Sequence, residues 1–461
     1  MLERWFGLRA RSTTVGIEAR AGLTTFMVMA YIIFVNPAIL SFAGVAGLEG
    51  KGAPFAATQA ATCLAAGALT IAMGLATNYP LALASGMGLN AVVAFQLIAG
   101  MKLPWQAAMG VVFLEGVAIT VLVLTGFREA IMNAIPLSLK RAIGVGIGLF
   151  ILFIGLVSAG VVKPGPPGVP VTLGELTAPS VVVAILGLLV TLWLQARGVG
   201  GALLLGILGT TVLAIVVNTA TAGKAFPIPG QAVVPARLVA LPDFSILGAG
   251  LTLEVFARVG VLTALVTIFS IMLSDFFDTM GTVIVIGGEA GWLTRDGRLP
   301  RLNRVLLVDS LAAAAGGAAG ASSVTTYIES AAGVSAGART GLASVVTGFC
   351  FLLALFFSPI AGVVPAQATA PALVIVGYLM TTIVREIPWN ELEEGFPALL
   401  TLAVMPFTYS ITNGIGAGFV TYCFIKLVRG KGADVHPMMY VAAAAFVVYF
   451  ALPALQTLLR R

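Results

Sequence analysis

The sequence predicts an all-α polytopic membrane protein, with fourteen transmembrane segments arranged as a 7+7 inverted repeat and with segments 3 and 10 broken. Three observations carry this expectation. The chain has 461 residues, 59% hydrophobic and only 10% charged, and a mean hydropathy of +1.05. No soluble domain of this size looks like that. Its apolar residues gather into fourteen stretches, and the second half of the chain echoes the first.

The stretches fall at 20–45, 55–77, 81–100, 105–127, 138–160, 178–196, 201–219, 258–288, 304–320, 322–338, 340–363, 368–385, 396–411 and 412–428. Several are shorter than the roughly 20 residues of a full helical span. A further run, 437–458, is either a fifteenth crossing or a helix lying in the interface. The echo pairs 135–153 with 364–380 and 174–206 with 390–420, the latter including a Glu-Leu start and a glycine-rich hairpin. Seven segments per half is an odd number, so the halves insert with opposite orientation.

Charge sets the topology. Arg4, Arg9, Arg11 and Arg20 precede segment 1 and put the N-terminus in the cytoplasm. Met1 to Arg20 is polar and basic, unlike a cleavable signal peptide. Lys140, Arg141, Arg197, the arginines at 295, 298, 301 and 304, and Lys426, Arg429 and Lys431 then fall inside as well. The proline-rich loop 220–257 falls outside. The net charge of +6 is thus a topology signal and not a nucleic-acid footprint. Cys63, Cys350 and Cys423 are scattered through apolar segments without disulfide or metal spacing. His436, the one histidine, lies in a polar loop, so histidine is not the central proton carrier.

Carboxylates are costly at membrane depth and usually face a cavity, a partner or a proton path. Asp275 and Asp278 lie in SDFFDTMGT (274–282) and, three residues apart, project on one side of segment 8. Glu329 lies in GASSVTTYIESAAGVSAG (320–337), where β-branched and hydroxyl residues favour an extended start before a helix near Glu329. Segment 3, NYPLALASGMGLNAVVAFQ (78–96), has Pro80 and small residues that discourage a continuous helix, and Asn90 offers an amide. Extended backbone at that depth must be buried in protein or line a cavity. Two helix starts facing each other there would offer N–H groups to a polar ligand.

Tyr327, Phe276, Phe277 or Phe95 could stack on a planar ring. The blander readings are a helix cap for Glu329, a structural pair for the two aspartates, backbone satisfaction for Asn90 and ordinary packing for Tyr327. Asp309 reads as a helix-end salt bridge to Arg304. Glu115 could join a proton path, but nothing in the sequence positions it. Arg339 reads as a topology anchor, and GVAGLEGKG (44–52) lacks the spacing of a phosphate loop.

The blocks GIEARAGLTTFMVMAYIIFVNPAIL (16–40), ASGMGLNA (84–91), SDFFDTMGT (274–282) and SSVTTYIESAAGVSAGARTGLASVVTG (322–348) resemble the AzgA-type branch of the nucleobase–cation symporters, along nearly the whole chain. The resemblance implies a uracil-transporter-like fold. Its core domain would comprise 16–127 (segments 1–4) and 258–363 (segments 8–11). Its gate domain would comprise 128–219 and 364–428, with 220–257 an extracytoplasmic linker and 429–461 a C-terminal hydrophobic extension.

It also implies proton-driven uptake of adenine, guanine or hypoxanthine. The carried-over substrate contacts are Asn90, an aspartate of segment 8, Tyr327 and Glu329. Asp275 is preferred as the base-contacting carboxylate, with Asp278 its close rival, and Phe276 is a further ring contact. Asp275, Asp278 and Glu329 are the proton-coupling candidates. Where the wider superfamily has a Gln-Asn or Glu-Asn pair in segment 10, Glu329 is followed here by Ser330. The implied partners are a purine base, a proton (sodium stays open), the lipid bilayer and a second copy through the gate domain. No cofactor, metal or nucleic acid is expected. An intramembrane enzyme would need a nucleophile with a base, or a metal cluster, and one loop histidine with dispersed cysteines supplies neither. An anion exchanger of the same fold would need positive charge, and segments 3, 8 and 10 contain no Lys or Arg beyond Arg258 at the first position of segment 8.

Overall fold

The computed structural model describes all residues except 1, 44, 46, 126–133, 229, 294–298 and 460–461, with the side chains of 2, 4, 277, 281, 284, 285, 289 and 452–459 also outside the described set. Arg295, Arg298 and the Arg4 side chain of the topology argument, and the Phe277 ring, therefore lie outside it.

The described chain is a helical bundle. In order run α1 (Val15–Met29), α2 (Ile32–Leu40), α3 (Phe55–Thr77), β1 (Leu83–Ser85), α4 (Met87–Ala91, continuing as a π-helix over Val92–Gly100), α5 (Trp105–Thr125) and α6 (Leu137–Ser158). Next come the strands β2 (Val162–Pro164) and β3 (Val171–Leu173), then α7 (Pro179–Ala196), α8 (Ala202–Ala220), α9 (Val261–Glu289), α10 (Leu302–Ala319), β4 (Val324–Thr326) and α11 (Ser330–Ser335). The chain closes with α12 (Gly341–Ala354), α13 (Ala366–Thr381), α14 (Leu392–Thr408), α15 (Ile411–Val428) and α16 (Pro437–Leu459).

Among the described residues, 10 helical stretches are long and apolar enough to cross a membrane. The four expected segments that fall short do so for visible reasons. Segments 3 and 10 each spend their first residues as a strand. Segment 13 is a 17-residue helix with Pro397 and Pro406 inside it. Segment 9, α10, carries Arg304 and Asp309 among alanines and glycines.

Local chemistry sets the ends. Pro54, Pro136 and Pro365 stand just before α3, α6 and α13, where a missing N–H costs nothing. The Thr14, Thr340 and Ser410 side chains accept from the first turns of α1, α12 and α15. Asn78, at φ 56°, closes α3 in the left-handed conformation.

The two broken segments meet. β1 and β4 pair antiparallel, Leu83 with Thr326, Ala84 with Thr325 and Ser85 with Val324. All six residues are buried, and their polar backbone is satisfied within protein. Thr70 of α3 both donates to Leu83 O (2.9 Å) and accepts from Leu83 N (2.8 Å). Gly86 N donates to Ser323 O, and Tyr327 N to Ala82 O, extending the ladder at both ends. Asn36 of α2 reaches Thr62, Ser85 and Ala321 O from below.

Close approach of backbones holds the helices around these strands. α3 packs on α12, and α5 on α10. A Cβ on Gly116 of α5 would collide with the backbone of Ala314, and one on Gly341 with the backbone of Gly74. Small residues at such contacts are what helices need where burial from water gives no drive to associate. α6 packs on α13 and α14, α7 on α8, and α14 on α15. The run 437–458 is one helix, α16, packed on α15 and α9, with Met439, Ala443 and Phe446 buried.

Candidate functional site

Four carboxylates surround the paired strands, two from α9, one from α10 and one from the start of α11. Asp275 and Asp278 come from the middle of α9. Three helical positions turn a side chain by about 60° from its starting direction, and here that difference separates the two. Asp275 is 1% exposed, with Ser323 Oγ donating to its Oδ2 at 2.9 Å. Asp278 is exposed, and its charge interacts with those of Asp275 and Glu329. The spacing rule thus puts both on one side of α9, yet only Asp278 reaches accessible space.

Glu329 stands at the start of α11 and is half-buried, beside the exposed Ile328. It makes no capping bond; Tyr31, in the turn between α1 and α2, donates to its Oε1 at 2.7 Å. Tyr327 is buried, with its hydroxyl donating to Ser85 O, so it ties segment 10 to segment 3. Asn90 is fully buried in α4. Its Nδ2 lies 3.5 Å from Ser85 O, and its Oδ1 has no partner. Phe276 is buried in the main apolar core. Phe95 stacks edge-on to Phe42 and Tyr409.

Asp309 corrects the sequence reading. Instead of bridging to Arg304 at a helix end, it is 5% exposed and turned inward from α10. Thr326 N (2.8 Å) and Thr326 Oγ1 (2.7 Å) donate to its Oδ1, and Thr279 Oγ1 (2.7 Å) to its Oδ2. Five residues is more than one helical turn, which carries the two side chains away from one another, and the strand's free N–H is the better partner for a buried acid. Glu115, which nothing in the sequence positions, is fully buried and faces Asp275.

Around the site, four polar residues escaped the sequence reading. Tyr31 and Asn36 are described above. Glu18 of α1 is buried and accepts from Arg339 N (2.9 Å) and Thr340 N (3.3 Å) ahead of α12. Gln96 accepts from Ile411 N at 3.0 Å and donates to Thr412 Oγ1 at 2.6 Å, capping α15 from segment 3. Each lies inside or at the edge of an apolar stretch, the same signal that singled out the aspartates. Arg339, read as a topology anchor, donates to Val334 O and Ala338 O beside its own turn.

A bundle with paired strands in two broken segments and acids around them can be compared with known proteins. The family model Xan_ur_permease, described as a permease family, matches residues 16–417. The chain belongs to that permease family. It is 41% identical over 448 residues to the Adenine permease AdeP of Escherichia coli, covering 97% of this chain and 95% of that one. It is 41% identical over 450 residues to the Guanine/hypoxanthine permease PbuG of Bacillus subtilis, covering 97% and 99%. Its fold is shared by the transmembrane domain of the cyanobacterial bicarbonate transporter BicA, at TM-score 0.63 and 14% identity over 86% of this chain and 97% of that one. The murine Solute Carrier 26 family member A9 anion transporter, inward-facing, gives 0.64 and 12% over 90% and 68%. Membership places this permease among multi-pass membrane transporters and not among enzymes.

Proposed function

We propose that this permease takes up purine nucleobases, adenine, guanine or hypoxanthine, by proton-coupled symport with elevator-like alternating access. The observation that carries this reading is the placement of Asp278 and Glu329. Two carboxylates reach accessible space beside a strand pair that joins both broken segments. Carboxylates there accept N–H bonds from a heterocycle. The names of the two relatives, an adenine permease and a guanine/hypoxanthine permease, support purines over xanthine or uracil.

In this reading Asp278 replaces Asp275 as the base-contacting residue of segment 8, because Asp275 is closed off by Ser323. Glu329 is the second contact, held by Tyr31, and Tyr327 beside it is a further contact on the segment it ties to segment 3. Asn90, whose Oδ1 is unpartnered, and Phe276 are the further substrate contacts in this reading, both buried.

The fold reading is fourteen segments in two inverted sevens. The packing supports it: shifting each segment by seven turns the α3–α12 contact into the α10–α5 contact, and the α7–α8 contact into the α14–α15 contact. The β1–β4 pairing maps onto itself as an antiparallel pair. Core and gate then divide as 16–127 with 258–363 and 128–219 with 364–428, linked by 220–257 and followed by 429–461. The N-terminus is cytoplasmic. Exposed Leu189 and Trp193 give the gate an apolar face for lipid or for a second copy.

Anion transport is the rival reading, favoured by the shared fold of the two anion-carrying structures. Against it, the described side chains around the strand pair are acidic. Uptake of labelled adenine, guanine and hypoxanthine into proteoliposomes, with and without an inward proton gradient and in competition with xanthine, uracil and bicarbonate, decides between them. No gradient-dependent accumulation of any purine would reject the proposal.

A further inference from the structure

Among the described residues, Glu115 is the one buried acid near the strands that no hydrogen bond explains. It sits at 0% exposure in the middle of α5, and neither of its oxygens has a donor. The contact of Gly116 with Ala314 brings α5 close to α10, while α5 also packs on α9. That sets the Glu115 carboxyl facing Asp275. Asp275 Oδ2 is taken by Ser323, but its Oδ1 also lacks a donor. Three buried carboxyl oxygens on this pair thus have no hydrogen-bond donor from the described residues.

The other groups facing this spot do not supply one. Thr325 also stands beside Asp275, but its hydroxyl is engaged with Thr279 Oγ1 at 2.6 Å, whose own hydrogen goes to Asp309. From α10, Asp309 has both oxygens filled by Thr279 and Thr326. From α9, Asp278 is turned to accessible space, and Glu329 of segment 10 is held by Tyr31. On the short helix Glu254–Val259 that also packs on α5, Arg258 is paired with Glu254. Among the described residues no ion pair includes Glu115, Asp275 or Asp309. Two bare carboxylates in contact at low dielectric repel strongly, whereas a single proton makes them donor and acceptor.

We propose that Glu115 is the proton-carrying residue of the transport cycle, sharing one proton with Asp275 across the contact of α5 and α9. The proposal deepens the symport reading and rests on it. On loading, a proton leaves a hydronium of the outside water and forms an O–H bond on Glu115, which then donates a hydrogen bond to Asp275 Oδ1. On release, that O–H bond breaks and the proton passes to water. Asp275 links the pair to Ser323, whose carbonyl accepts from Gly86 N. Loss of the proton therefore repels Asp275 and strains the bonds that join the two broken segments, which is how proton and substrate become coupled.

The test uses the full chain in proteoliposomes. Glu115→Gln keeps the shape and carries a permanent N–H toward Asp275. It should retain counterflow exchange of labelled purine and lose accumulation driven by a pH gradient. Wild-type accumulation in E115Q overturns the proposal, and so does loss of exchange in a variant that still binds purine. Infrared spectra of the wild type read the pair independently of any variant. A protonated-carboxyl band at neutral pH that shifts in D2O is expected, and its absence overturns the proposal. A sodium gradient that drives accumulation in place of a proton gradient also overturns it. If the wild type accumulates no purine at all, it is the symport reading that fails, and the infrared band still reports on the pair.

Discussion

Tyr31 donates to Glu329 Oε1 at 2.7 Å across 298 positions of sequence, joining the break in segment 1 to the helix start of segment 10. The bond leaves the other carboxylate oxygen for a ligand and fixes where it points. Tyr31→Phe removes the donor and little else. Purine affinity should fall by about tenfold, or about 1.4 kcal/mol, in a binding titration. Glu329→Gln should go further and abolish concentrative uptake; unchanged accumulation in that variant would exclude Glu329 from the transport site.

Asp309 makes three hydrogen bonds that no other group replaces. Asp309→Ala leaves Thr326 N without a partner and opens a gap beside Thr279. A loss of about 3 kcal/mol of stability is expected, read as a lower melting temperature in detergent. Asp309→Asn, which still offers an acceptor to Thr326 N, should lose less. Equal losses in the two variants would contradict the anchoring role.

The α5–α10 contact has no room for a side chain at Gly116. Gly116→Val should cost about 1–3 kcal/mol through overpacking and displace Glu115 from Asp275. Gradient-driven uptake should then fall more than purine binding does. A variant with full uptake would mean that the helices separate without consequence.

At the other end of the bundle, Glu393, ahead of the apolar stretch of segment 13, accepts from Lys431 (2.7 Å), Arg429 (3.2 Å) and Lys426 (3.2 Å). The Lys431 bond first, and then those from Arg429 and Lys426, hold its carboxyl down at about 2 against an ordinary 4.5. Because the folded-state value is the lower one, the stabilisation is complete above pH 4.5 and is lost as pH falls toward 2. Melting temperatures measured across that window should drop more steeply for the wild type than for Glu393→Gln.

Much of this was legible in the chain. The breaks in segments 3 and 10 follow from Pro80 and from the β-branched run at Val324–Thr326, both local effects. The carboxylates stood out because acids are rare in apolar runs. Asp309 and Glu115 stood out equally, but their partners are Thr326 and Asp275, far away in sequence. No local rule reaches such distances, so the first was read as a helix-end salt bridge and the second was left without a position.

By itself the sequence determined that this is a helical membrane protein with interrupted segments and acids at depth, because hydropathy and backbone restriction act over a few neighbouring residues. Only the tertiary structure decided which acid is closed off and which is open, since Asp275 and Asp278 differ by a rotation of α9 against Ser323. It also decided that Glu115 meets Asp275, because that depends on how closely two glycine-lined helices approach.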